Sequence, residues 1–574
     1  MSGPTRLRLL VDDEEILAGD AVLSLTVAHE LGRIPRATLR LADGEPARQT
    51  FPLSDTDQLV PGRRLEIRLG TDEGEWSVFR GPVIGQRIRV RRQSNSLTVE
   101  CRDEAVRMTR GRRSRCFGDS TDAAALEELV EAHGLVAQVA PTGAEHPMLV
   151  QHDATDWDFL LSRAEANGHV VAVRDGIVTV GPPRLDVDPV TTADFGEDLL
   201  ELDAELDASV QVSGITAAAW DAADQQVLQV DAAEPRLDPP GNLAPADLAE
   251  VLGTAPVALR HGGRLSAQEL QAWADGRLLR ERLAQVRGRV RVRGVGGITA
   301  GDVIEVTGIG RRFAGRHYVS AVRHTMTDGA WETDLVIGLP AAAGTGTGCG
   351  GAPVSAAPAG GLLPSVPALQ SGVVTDLDGD PAGQERIRVR LPLADDTAEG
   401  TWARLATLDA GEGRGTCFRP EIGDEVVVGF LAADPRHPVV LGQVHSSAHP
   451  APFPATEDNQ VKGYRSREGL ELRFDDGTGE ISLATPGGNR LTLSEDETAV
   501  TLADQHGSTV VLDGNGITLS STSDLTLEAA GSVTVSAMDI SLAAQGRFVA
   551  EGMAGADVTA TGALTLAGSL IRLN

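Results

Sequence analysis

Lysine is almost missing from this sequence: among 51 basic residues in 574, Lys462 is the single lysine. The bias reads as GC-rich coding more than as arginine-specific chemistry. Positive charge as a whole is short, because 82 Asp and Glu leave a formal net charge of −31. That balance excludes general nucleic-acid binding, which needs a basic face to neutralise phosphates. Aromatic residues make up 3% and apolar residues 41%, too little for large helical cores and suited to thin β-layers filled by Val, Leu, Ala and Thr. The four cysteines, Cys101, Cys116, Cys349 and Cys417, are scattered. Such spacing makes neither a disulfide framework nor a CxxC metal pattern. Long apolar runs are also lacking, and the N-terminus carries no apolar leader. Neither a transmembrane span nor a signal peptide is therefore expected, and synthesis and assembly in the cytoplasm follow.

What is present divides the chain into several domains, as its length requires. Residues 1–340 are strand-rich, with alternation at Leu65, Ile67 and Leu69 and again at Ile304 and Val306. Three helices punctuate them: one from about Thr121 to His133, one capped by Thr155 and stopped by Gly168, and one opened by Ser266 with Glu269 three residues on. The Thr155–Asp158 and Ser266–Glu269 pairs read as capping boxes. Residues 341–370, rich in Ala, Gly, Pro and Ser and without charge, have the composition of a linker. Residues 371–445 hold five short strands between Gly- and Asp-rich turns, which suits a small closed barrel of the OB type, with a packed sandwich as the alternative. A connector, 446–466, leads into a repetitive segment, 467–574.

The repeats carry the most information. Ile517 and Leu519, Leu525 and Leu527, Val533 and Val535, Ile540 and Leu542, Phe548, Val558, Leu564 and Leu566, and Leu570 recur every six to ten residues or so, among Gly, Ser, Asp, Thr and Ala. Short alternating strands with small-residue corners describe one face of a β-helix or β-prism. A single chain of this kind has open edges and too little apolar surface to offset the ordering of its backbone. Three chains around one axis close both faces and edges, so a homotrimer is expected. From Ser466 to Asn574, five arginines stand against fifteen acidic residues. So acidic a surface is repelled by anionic headgroups and lacks an apolar belt, so membrane contact is expected only by mechanical puncture.

The run from Cys417 to His445, CFRPEIGDEVVVGFLAADPRHPVVLGQVH, closely resembles the OB-domain signature of VgrG-type spike proteins of contractile injection systems. The matching residues are Pro420, Gly423, Asp424, Glu425, Val426, Asp434, Pro435, Pro438 and Gly442, and the upstream segment with Trp402 also fits. Gln151–Gly168 and Gly301–Leu335 resemble a phage tail hub. The resemblance implies a mainly β fold: two hub β-barrels with a few helices in residues 1–340, the OB-fold barrel in 371–445, and an intertwined triple-stranded β-helix or β-prism needle in a homotrimer. It also implies a structural spike between a hexameric inner tube and a membrane-piercing needle. Expected partners are the inner tube initiator ring, baseplate proteins, a PAAR-type tip protein and possible cargo effectors. No effector domain follows the repeats in this sequence, which favours the compact spike of phage-tail-like injection particles over a type VI secretion spike.

No catalytic, cofactor-binding or metal residue is expected. His146, His152 and Asp153, and likewise His317 and His324, read as structural groups, since no HExxH spacing is present. His445 and His449 lie in a proline-rich connector and are a weak metal signal. The basic clusters Arg87–Arg92, Arg107–Arg115 and Arg287–Arg293 are either solvated strand edges or, for Arg112 and Arg113 in particular, contacts to an acidic tube or neighbouring chain. Cys349 reads as an exposed thiol. A β-helical polysaccharide-degrading enzyme would need longer coils with paired carboxylates, and a surface adhesin would need a secretion signal.

Overall fold

The computed structural model describes residues 5–16, 21–72, 74–92, 94–221, 226–253, 255–261, 263–340, 358–394 and 397–572. Cys349 lies outside them. The fold is mainly β with a few helices and divides into two compact units, Met1–His445 and Ser446–Asn574.

The first unit is built on a 13-stranded sheet. Alternation sets its inner face: Leu65, Ile67 and Leu69 of strand Arg64–Thr71 are fully buried, as are Leu39 and Leu41 of strand Arg36–Ala42. Eleven of its strands follow one hydrogen-bonded path, and Thr192–Asp194 and Val303–Thr307 branch from it at Gly315–Thr327. The reason lies in strand length. Strands Gly74–Arg89 and Gly315–Thr327, of 16 and 13 residues, are too long for one small lobe and bend at register shifts near Val83–Gly85 and Val319–Ala321. Such bulges re-aim a strand without ending it. One core forms around Leu39, Leu65, Ile67, Val99 and Trp331, and a second around Val290, Ile304, Val319 and Leu335.

Among its described residues this unit has four α-helices, one more than the sequence suggested: α1 (Asp122–Glu131), α2 (Asp156–Ala166), α3 (Pro245–Leu252) and α4 (Ala267–Leu283). Thr155 Oγ1 accepts from the Asp158 amide (3.0 Å), and Ser266 Oγ accepts from the Glu269 amide (3.2 Å), while the Glu269 carboxylate takes the Ser266 amide (3.0 Å). The unannounced α3 starts at Pro245 behind Ala244, a residue with no side-chain acceptor to signal a cap. At Gly168, which ends α2 at φ +68°, a Cβ would come within 2.7 Å of the Gly276 Cα on α4. The two backbones can meet only because both positions lack side chains.

Of the expected linker, residues 341–357 lie outside the described residues. Among its described residues, Ala359, Leu362 and Leu363 are buried against Leu270, Ala274 and Leu278 of α4. The five expected barrel strands are present as Gln370–Asp376, Ile387–Arg390, Thr401–Leu405, Glu425–Phe430 and Pro438–Gln443, closed into one barrel around Val374, Val389, Val426, Val428 and Val440.

The second unit opens within the expected connector, at strand Val461–Arg465, and runs as a seven-stranded antiparallel meander to Gly516–Ser520. Residues 521–572, where further short strands were expected, form no strand ladder within the chain. Their repeats provide no neighbour of their own to pair with.

Buried histidines fix an acid limit on the first unit. Burial holds His29, His317 and His324 below the ordinary imidazole range, His324 down to about 3. An unfolded imidazole takes up a proton below about pH 6.5. The native state therefore keeps this contribution in full above pH 6.5 and loses it as pH falls toward the folded value. His324 alone should cost about 2 kcal/mol by pH 5. Urea midpoints measured from pH 7.5 to 5 should fall, and His324→Asn, which keeps an acceptor for Thr333 and Trp331, should flatten the decline; an unchanged slope would refute the assignment.

Candidate functional site

Two features stand out, a buried chain of charges in the first unit and an open apolar face in the second. The charges begin at Asp122, the first residue of α1. Arg163 of α2, itself 2% exposed, grips it through Nε (2.6 Å) and Nη2 (2.8 Å) and gives its third bond to the Leu362 carbonyl (2.9 Å). His146 stands between Asp122 (Nε2, 3.1 Å) and Glu269 (Nδ1, 3.5 Å). Glu269 receives Arg436 Nη1 of the barrel at 2.6 Å, and the Arg436 Nε and Nη2 bind Asp434. His261, closing strand Val257–His261, places Nε2 3.1 Å from Asp434 Oδ2. The chain of groups joins α1, α2, α4 and the docked segment 358–363 to the barrel.

Burial alone would push the carboxyls of Asp122, Glu269 and Asp434 up, but the guanidiniums outweigh it. Arg163 holds Asp122 far below the usual range, Arg436 holds Glu269 below it, and Arg436 likewise holds Asp434 well below. Burial lowers the His437 imidazole to about 4. A buried charge persists only when paired and hydrogen-bonded, and each of these is.

The barrel motif has local reasons. The Gly423 amide donates to the Val374 carbonyl (2.8 Å), and Asp424 accepts from the Glu421 amide (2.9 Å) and Gln443 Nε2 (3.1 Å). Val426 fills the barrel, and Gly442 sits where the register slips between Val427 and Val428. Asp434 is wholly buried and anchors Arg436. Trp402 lies under the Arg388 guanidinium at 4.9 Å.

The sequence candidates fall out differently. His146 works with Asp122 and Glu269, not with His152 and Asp153, which sit at the far end of strand Glu145–Ala154. His317 bonds to the Phe313 carbonyl and His324 to Thr333, as separate structural contacts. His445 and His449 are exposed. Among the described residues, the convergent potential ligand group is His261, Asp434 and His437, which no sequence spacing flagged. Of the basic clusters, Arg112 and Arg113 pair with Asp153 and Asp156, and Arg287, Arg289 and Arg291 pair across to Glu205, Glu201 and Asp334. Arg87, Arg89, Arg91 and Arg92 are exposed at the end of a long hairpin, beside exposed Ile88 and Val90, and form no ion pair among the described residues.

In the second unit the register aligns apolar residues from strand to strand. Phe474 faces Ile481, Ile481 faces Leu493, Leu493 faces Val500, Val500 faces Leu512 and Leu512 faces Ile517. A parallel row runs two residues along, from Leu472 to Leu519. The first row is exposed, with Ile481 at 42%, and in the second exposed Leu483 and Leu502, the latter at 52%, alternate with half-buried Leu472, Leu491 and Val510; Leu527 at 72% and Val535 at 70% are exposed beyond them. A soluble monomer rarely leaves so long an apolar face to water.

Comparison with known proteins agrees with this architecture. Residues 370–445 match the type VI secretion system/phage-baseplate injector OB domain, and residues 2–328, more than half of the chain, match the Alg8 N-terminal domain. The type VI secretion system spike protein VgrG1a of Pseudomonas aeruginosa is 26% identical over 251 residues, covering 39% of this chain and 37% of that protein. VgrG3 of Vibrio cholerae is 29% identical over 137 residues, 21% of this chain and 13% of that protein. Each match therefore spans well under two thirds of the relative. The half-lidded Francisella PdpA–VgrG complex shares the fold at a TM-score of 0.52 and 8% identity, covering 90% of this chain and 88% of that one. The chain belongs to the Alg8 N-terminal domain family, and it is homologous to the VgrG and phage-tail spike proteins of contractile injection systems.

Proposed function

We propose that the chain is a non-enzymatic spike of a type VI secretion-like contractile injection system. The observation that carries this reading is the apolar face of the 461–520 meander and its continuation, which one chain leaves open. Three copies would turn these faces inward as a triple-stranded β-prism, the geometry that closes such surfaces with cyclic symmetry. The curated relatives are type VI secretion spikes, so this assignment takes precedence over the compact spike of a phage-tail-like particle that the sequence favoured. In this reading the 370–443 barrel is an OB-fold, and the two cores along the large sheet act as two barrel-like lobes per chain that meet a hexameric tube. A PAAR-type tip protein and cargo effectors are the remaining partners, and assembly takes place in the cytoplasm. The needle is driven through the target envelope, since its acidic surface has no affinity for anionic lipid.

Native mass spectrometry of the purified chain should give a trimer; a monomer would end the proposal. Ile481→Asp with Leu493→Asp should abolish the trimer, each lost apolar contact being worth about 1.5–3 kcal/mol per chain.

The unpaired Arg87–Arg92 hairpin is the surface offered to an acidic tube or baseplate protein. Arg87→Glu with Arg89→Glu should leave the trimer intact and reduce recovery of tube and baseplate proteins with the spike at least tenfold at low salt. Undiminished particle assembly would remove this contact.

A further inference from the structure

We propose that His261, Asp434 and His437 form a divalent transition-metal site, of the zinc class, that staples the N-terminal scaffold to the barrel. His261 Nε2, His437 Nε2 or its ring partner, and a carboxylate oxygen of Asp434 lie within 4.8 Å of one another. Two imidazoles and a carboxylate are the donor set that suits zinc, with water left for a fourth position.

Three observations point to a ligand. The Nε2 atoms of His261 and His437 are shielded from solvent, and neither makes an aligned hydrogen bond. A buried polar nitrogen without a partner is costly and unusual. Second, His261 Nδ1 lies 3.1 Å from the Gly263 carbonyl. The Gly263 amide lies at the same 3.1 Å from Nδ1, so the Gly263 backbone serves either tautomer; the one in which Nδ1–H donates to the carbonyl turns the Nε2 lone pair toward Asp434, as in metal-binding histidines with a backbone partner. Third, the buried carboxylates Asp122, Glu269 and Asp434 outnumber the guanidiniums Arg163 and Arg436 in the same chain of groups. A cation among them offsets the excess.

The surroundings are shaped for this contact. A Cβ at Gly263 would come within 2.2 Å of the His437 ring, so only glycine lets that ring lie against the strand end. The two rings sit 5.5 Å apart at 57°. Arg436 binds Asp434 through Nε and Nη2 and so fixes the carboxylate plane. It acts as a positioning residue. A metal here would tie His261, at the end of its strand, to the turn between the last two barrel strands, across the joint that must carry load when the needle is driven. The site itself rests only on this geometry, and its test reads metal rather than injection.

The untagged full-length protein, stripped by chelator and titrated with Co(II), should bind one ion per chain with the visible absorption of four-coordinate cobalt. Zn(II) should displace it and raise the thermal midpoint. His437→Gln should weaken Co(II) binding at least tenfold, and Asp434→Asn should do the same, while His324→Asn, away from the site, should leave it unchanged. The idea is overturned if the folded wild-type protein binds no Co(II) or Zn(II) at micromolar concentration, or if His437→Gln binds as wild type does. Should a variant fail to fold, the wild-type titration alone decides.

Discussion

An apolar face that the chain cannot cover by itself governs the second unit. Strands of five residues turn back so quickly that each contributes only two apolar side chains to one side. Seven such strands, about 4.8 Å apart, extend a narrow ribbon over roughly 30 Å. The ribbon has no helix or second sheet of its own to lie on it. Backbone hydrogen bonding makes it continuous, and burial against other copies is what would make it a rod. Beyond Ser520 the described residues form no strand ladder within the chain, so in the proposed trimer association there would supply hydrogen bonds as well as burial.

The first unit faces the opposite difficulty, charge inside a folded core. Arg163, Asp122, His146, Glu269, Arg436 and Asp434 are all shielded, and each meets the next at bonding or near-bonding distance. Ions taken from water cost several kcal/mol each unless such partners replace the lost hydration. The network therefore specifies one way for helices and barrel to meet, where an apolar contact would tolerate sliding. Arginine usage follows the same division. Arg287, Arg289 and Arg291 are neutralised by Glu and Asp across the sheet, whereas the exposed Arg87–Arg92 cluster forms no ion pair among the described residues.

Legibility in the sequence tracked the distance over which each feature is encoded. Thr155 with Asp158 and Ser266 with Glu269 were readable because a cap is settled within four residues. The barrel strands were readable because Gly and Asp turns bracket short alternating runs. Helix Pro245–Leu252 escaped notice because Ala244 offers no cap. The docking of Leu362 and Leu363 escaped because their partners on α4 and at Arg163 are remote, the Leu362 carbonyl and Arg163 being 199 positions apart.

The sequence by itself determined the β-rich composition, the order of scaffold, barrel and repeat, and the alternating pattern that puts most of the apolar residues of the strands in the 461–520 meander on one side. These follow from local periodicity and turn chemistry, which need no partner to be read. Tertiary structure alone decided that the large sheet is continuous through its bulges, that Arg436 meets Glu269 from 167 positions away, and that His261 comes to rest beside Asp434 and His437. Each depends on where separate strands cross in space, and no spacing along the chain records that.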